Sequence, residues 1–114
     1  MTREELSFEL YVVLGNALHL LVNGVKPEDQ QRLALPMAEL QRLHAWLEPV
    51  RATEMLGAVE RLPDSDFSLL LEAVAMCERL ADTQAEHLLG APAEVRSEVL
   101  AALRATREHN GEVA

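Results

Sequence analysis

F-S-L-L-L-E-A-V-A-M-C-E-R-L-A, residues 67–81, is the stretch whose reading decides the fold. Turned at 100° per residue, its apolar side chains cover nearly the whole circumference of a helix. Ser68, Glu72 and Arg79 form one polar stripe with Ala75 between them, and Glu78 is stranded among Phe67, Leu71 and Val74. A helix that is apolar nearly all round has to be covered. The stretch is therefore expected to be the central rod of a helical bundle, with the stripe of Ser68, Glu72 and Arg79 as its only strip open to solvent. Glu78 in the apolar arc calls for an arginine partner, because an unpaired carboxylate is costly to bury.

Pro63-Asp64-Ser65-Asp66 reads as a turn ending in an N-cap. The helix that follows is expected over 65–89, roughly 37 Å at 1.5 Å per residue. It grows polar past Ala81 through Asp82, Thr83, Gln84, Glu86 and His87, and Gly90 stops it. Pro92 then sits in the first turn of a last helix. Val95, Val99, Ala102 and Leu103 face inward on it, Arg96, Arg104 and Arg107 lie to one side, and Glu94, Glu98 and Glu108 lie to the other. Asn110-Gly111 ends that helix, and residues 112–114 are expected to fray.

On the N-terminal side, Thr2 and Glu5 stand at capping-box spacing, with Glu4 also in the first turn where the helix dipole favours acid. The first helix runs to about Val22, before a left-handed stop at Asn23-Gly24 followed by the hydrophobic Val25. Leu6, Leu10, Val13, Ala17, Leu20 and Leu21 form its core stripe. Phe8, Tyr11, Leu14, Gly15, Leu18 and Val22 form a second apolar stripe beside the first. Glu9, Asn16 and His19, with Val12 among them, leave only a thin polar seam. Two helices this apolar are hard to hide in one small bundle, so the second stripe reads as an interface with another chain. Gly15 costs about 1 kcal/mol of helix propensity, which fits either a neighbouring backbone approaching there or a tolerated glycine.

Between these two helices, Pro27 with Glu28 and Asp29 opens a short helix to about Ala34. Pro36 removes a backbone donor and turns Leu35 away from helical geometry, so a break is expected there. A fresh helix over 36–47 buries Leu40, Leu43, Trp46 and Leu47, and Glu48-Pro49 forces a corner. A further helix over 50–61 buries Ala52, Met55, Leu56, Val59 and Leu62 and stops before Pro63. No period-two alternation competes with these patterns. The fold class is all-α, a compact bundle of about five helices forming a single domain over residues 1–114.

The bulk numbers narrow function mainly by exclusion. The 114 residues are 49% hydrophobic and 4% aromatic, with 19 acidic side chains against 10 basic ones and a net charge of −9. Only one of the basic residues is a lysine, Lys26. Phosphate backbones and anionic lipid select dense Lys/Arg surfaces, so direct nucleic-acid and membrane binding are disfavoured. Cys77 is the single cysteine, which rules out an intrachain disulfide. The opening M-T-R-E-E is acidic where a signal peptide is basic. The apolar run behind it is broken by Asn16 and His19, making a poor membrane span, and the expected location is the cytoplasm.

No motif carries recognisable chemistry. Glycines 15, 24, 57, 90 and 111 are too scattered for a phosphate-cradling loop or a nucleophile elbow. No glutamate is followed three residues later by histidine, as a di-iron bundle requires, and one cysteine does not make a zinc site. His44 and Glu48, four apart, read as a surface pair, and His19 with Asn16 as a hydrogen-bonding pair at the interface. Cys77 reads as a small buried hydrophobe. The helix after Pro36 carries one arginine and no lysine, too little positive charge for a DNA-reading helix.

The expected function is a non-enzymatic acidic protein-interaction module, a regulator, adaptor or inhibitor, with no cofactor and no metal. Its partner is a second copy in a homodimer, joined through the stripe of Phe8, Tyr11, Leu14, Gly15, Leu18 and Val22, or another protein. Two alternatives stay open. One is a bundle enclosing a small apolar ligand or a metal, with Met37, Met55 and Met76 as yielding lining. The other is an acidic antidote or decoy for a basic protein that binds nucleic acid.

Overall fold

The computed structural model describes residues 1–113, with side chains through residue 107. Helix α1, Arg3–His19, begins with the expected capping box. Thr2 accepts from the Glu5 amide through its hydroxyl, and the Glu5 carboxylate accepts from the Thr2 amide, both at 3.1 Å. The helix does not stop left-handed at Asn23-Gly24. It widens into a π turn, Leu20–Gly24, and leaves through an extended Val25. Leu20 folds over Gly24 so closely that a Cβ there would stand 2.8 Å from its Cδ1.

Pro27 opens α2, Pro27–Arg32, and the break at Pro36 separates it from α3, Met37–Leu47. Ala34 takes the left-handed conformation in between, at φ 52°. The helix expected over 50–61 is a 3₁₀ turn, Ala52–Glu54, running into α4, Met55–Glu60. The long helix expected over 65–89 divides. Helix α5 is Asp64–Ala81, a 3₁₀ turn spans Asp82–Gln84, and α6 is Ala85–Leu89. The division falls at Asp82, φ 48°, where the polar run begins and no buried side chain holds the helix straight. Gly90 closes α6 at φ 77°, as expected, and α7 is Ala93–Val113.

Helix α7 continues through Asn110-Gly111 instead of ending there. The expectation of fraying at 112–114 runs past the described side chains and, at residue 114, past the described backbone. There is no strand among the described residues.

The element that the others surround is α1, not the 67–81 stretch. Helices α3, α4, α5, α6 and α7 all pack on it. Helix α5 is one wall of the bundle. Phe67, Leu70, Ala73, Val74 and Cys77 are buried, Leu69, Leu71, Ala75 and Met76 are half-buried, and Leu80 is exposed beside Ser68, Glu72 and Arg79. Its open strip is therefore wider than its polar stripe. The correction has a plain cause: a rod apolar on all sides needs neighbours on all sides, and this chain places them around α1.

The core contains Leu10, Leu14, Leu18 and Leu21 of α1, Leu40 and Leu43 of α3, Met55 and Val59 of α4, and Leu89, Val99 and Leu103 of the C-terminal part. Three of the polar contacts that tie the helices centre on Ser7, Arg107 and Arg96. Ser7, buried, donates to the Ala52 carbonyl at 2.5 Å and accepts from the Leu56 amide at 3.1 Å, which ties α1 to the 3₁₀ turn and the start of α4. Arg107 reaches from α7 to the carbonyls of Val59, Glu60 and Leu62 and to Asp64, and its guanidinium lies 4.5 Å from the Phe67 ring centroid. Arg96, only 5% exposed, donates to Glu78 at 3.1 Å and to the Ala91 carbonyl at 2.6 Å. Glu78 thus has the arginine partner its position demanded.

Candidate functional site

The second stripe of α1 is split by its neighbours. Leu14 and Leu18, at 1% and 0% exposure, belong to the chain's own core. Gly15 and Val22 are half-buried. Phe8 and Tyr11 remain outside, at 55% and 40% exposure. Leu14 and Leu18 are therefore not available to a partner while the chain is folded. The wheel position that groups them with Phe8 is correct, but α1 is covered on more sides than one apolar stripe accounts for.

Gly15 lies under α3. A Cβ on it would meet only Leu47 Cδ2, at 3.8 Å, an ordinary contact. Among the described residues, no backbone of another element approaches close enough to demand glycine there. On the other flank, Gly90 is held tightly against α1: a Cβ on it would stand 2.7 Å from Val12 Cγ1 and 2.9 Å from Asn16 Nδ2. Asn16 donates to the Leu89 carbonyl at 3.2 Å, so it serves α6 and not His19. His19 instead lies 3.3 Å from the Asn23 amide nitrogen and 6.2 Å, ring to ring, from His44.

Phe8 and Tyr11, three apart, stand on the outward side of the first half of α1. Glu4 is exposed one turn before Phe8, and Glu9 is half-buried beside it. Neither carboxylate forms an ion pair among the described residues, whereas Arg3 is paired with Glu60 at 2.6 Å. The result is an aromatic ridge with acidic flanks. Two of the chain's four aromatic side chains are spent on it, while Phe67 is buried and Trp46 half-buried.

A second apolar surface, which the sequence reading did not anticipate, lies beyond the other end of α1. Leu33, Leu80 and Leu88 are all exposed. Leu80 borders two adjoining grooves. One, about 340 Å³, is lined by Leu33, Leu35, Pro36, Met76 and Arg79 among others. The other, about 250 Å³, is lined by Leu20, Val25, Lys26 and Leu88 among others. The hint available in the sequence is Leu80 next to the polar run at Asp82, an apolar residue at a helix end.

The Cys77 thiol is pushed up to about 12, first by burial and then by the nearby Glu78 charge, and it donates to the Ala17 carbonyl at 3.2 Å. At neutral pH it is a protonated core side chain, not a thiolate. Among the described residues, no three His, Cys, Asp or Glu side chains come together to hold a metal. Arg3–Gly24 is the one described helix long and apolar enough to cross a membrane, and 44% of its most apolar window is buried inside the fold. No protein family, curated protein or solved structure matches the chain.

Proposed function

We propose that this chain is a non-enzymatic protein-interaction module, an acidic regulator or adaptor of the cytoplasm, that self-associates through the outward face of α1. The observation that carries the reading is the exposure of Phe8 and Tyr11 side by side on a helix whose other large apolar side chains are buried or half-buried. Aromatic side chains exposed together are the residues most often found as binding anchors, because each offers a large rigid surface at small entropic cost. The acidic flanks at Glu4 and Glu9 favour a contact surface of the opposite charge.

Light scattering of the wild-type chain across the micromolar range tests this directly. Self-association is expected, and replacing Phe8 and Tyr11 together by glutamine is expected to give a monomer of unchanged helicity. Both positions are exposed, so the variant keeps the core intact. A wild-type chain that stays monomeric at high micromolar concentration refutes self-association.

A further inference from the structure

We infer that the aromatic ridge of one copy docks into the groove around Leu80 of a second copy, so that the contact is ridge to groove and not ridge to ridge. The inference rests on the self-association proposed above and names the surface that receives the ridge.

Charge is the first argument. The ridge presents Glu4 and Glu9 without ion-pair partners among the described residues. Two ridges face to face would bring like charges together in a chain already at −9. The two groove linings taken together are weakly of the opposite sign, with three basic side chains against two acidic ones. Their lining includes Lys26, Arg32 and Arg79 against Asp29 and Glu72. Arg32 and Asp29 are 3.5 Å apart and largely offset each other, while Lys26 and Arg79 form no ion pair among the described residues. The chain's only lysine thus lines one of the two grooves.

Shape and chemistry agree with charge. The floor between the two grooves is aliphatic, with Leu80 shared by both and Met76 and Leu88 to either side. Flexible aliphatic and thioether side chains adapt to an inserted aromatic ring. Anchors three residues apart on one helix face, as Phe8 is from Tyr11, suit a groove with two adjoining basins. The chain's own ridge does not fill its own groove. Phe8 and Leu20, a groove-lining residue, are separated along α1 by roughly 18 Å at 1.5 Å per residue. A ridge that enters this groove therefore comes from a second copy.

Paired variants distinguish this arrangement from its rival. The ridge variant is Phe8→Gln with Tyr11→Gln, and the groove variant is Leu80→Glu, with circular dichroism checking that both fold. At a concentration where the wild type associates, each variant alone is expected to be monomeric in sedimentation. Their equimolar mixture is expected to recover a one-to-one pair, because each supplies the surface the other lacks. If the groove variant associates like the wild type while the ridge variant does not, ridge meets ridge: this inference fails and the proposed function stands. A mixture of folded variants that remains monomeric also overturns it. A wild type monomeric throughout overturns both readings together.

A second variant protects the test from a folding defect at Leu80. Lys26→Glu with Arg79→Glu changes only exposed side chains. It is expected to weaken wild-type association by about tenfold or more at low salt, and by less at high salt. Association unaffected by this double reversal at low salt counts against the groove.

Discussion

Removing the Glu78 carboxylate should cost far more than removing the whole ion pair it belongs to. Arg96 is buried and has two acceptors, Glu78 Oε2 at 3.1 Å and the Ala91 carbonyl at 2.6 Å. Glu78→Ala leaves the guanidinium in the core with one neutral acceptor. For a fully enclosed pair such a deletion costs about 3–5 kcal/mol. The Glu78 side chain is 35% exposed, so water reaches the charge from that side and the expected loss falls to about 2–3 kcal/mol. Glu78→Gln, which still offers a carbonyl oxygen to Nε, should lose about 1 kcal/mol.

Replacing both partners, Arg96→Met with Glu78→Leu, removes the buried charge entirely. What remains is the Ala91 carbonyl without its donor, a loss of about 1 kcal/mol. The double variant should therefore be more stable than Glu78→Ala alone. In a domain of this size, 2–3 kcal/mol corresponds to a fall in Tm of about 10 °C. Urea denaturation followed by circular dichroism gives the free energies and shows through the slope whether the unfolding reaction has changed. The reasoning is refuted if Glu78→Ala lies within about 0.5 kcal/mol of wild type, or if the double variant is less stable than that single one.

The remaining predictions concern other joints in the bundle. Gly90→Ala should destabilise by about 2 kcal/mol or more, because it adds left-handed strain at φ 77° to a clash with Val12, whereas Gly15→Ala should stabilise by up to about 1 kcal/mol; thermal melts of the two read the contrast. Cys77 should resist a thiol reagent at pH 8 in the native state and react fully once urea unfolds the chain, since burial holds the thiol near 12; rapid native labelling would show that the α1–α5 contact opens readily. Arg42, bonded to Asp66 at 2.7 and 3.2 Å, lowers the Asp66 carboxyl below its ordinary value. That pairing adds stability above the unfolded-state value and is lost as pH falls through the folded one. Asp66→Asn should flatten the stability curve below about pH 4, and an unchanged acid limb would remove Asp66 from the account.

Local signals were legible wherever a residue type settles its own backbone. The Thr2 and Glu5 box, the break at Pro36 and the stop at Gly90 all follow from chemistry contained within a few residues. The need of Glu78 for an arginine was legible too, although not which arginine.

What escaped was decided by neighbours. A helical wheel shows how α1 divides into stripes, but it does not say that five other helices pack on α1 and that Leu14 and Leu18 are covered as well. Ser7 gives no pattern, because its partners Ala52 and Leu56 are more than forty residues away. Arg96 and Arg107 did leave a signal that charge obscured. Positions 96, 99, 100, 103 and 107 lie on one helical face, so the rotation that buries Val99, Leu100 and Leu103 also turns both arginines inward. Reading arginine as a surface residue placed them to one side.

That pair of inward arginines bears on how α7 finds its place. A seam built only of leucines tolerates slippage, since one methyl cluster resembles the next a turn away. Arg96 and Arg107 are three turns apart, roughly 16 Å along the axis. One is committed to a carboxylate on α5, and the other to a set of carbonyls at the end of α4. Sliding α7 by a single turn would strand both guanidinium groups away from their acceptors. The helix therefore docks in one register, as a key with two notches turns in one lock.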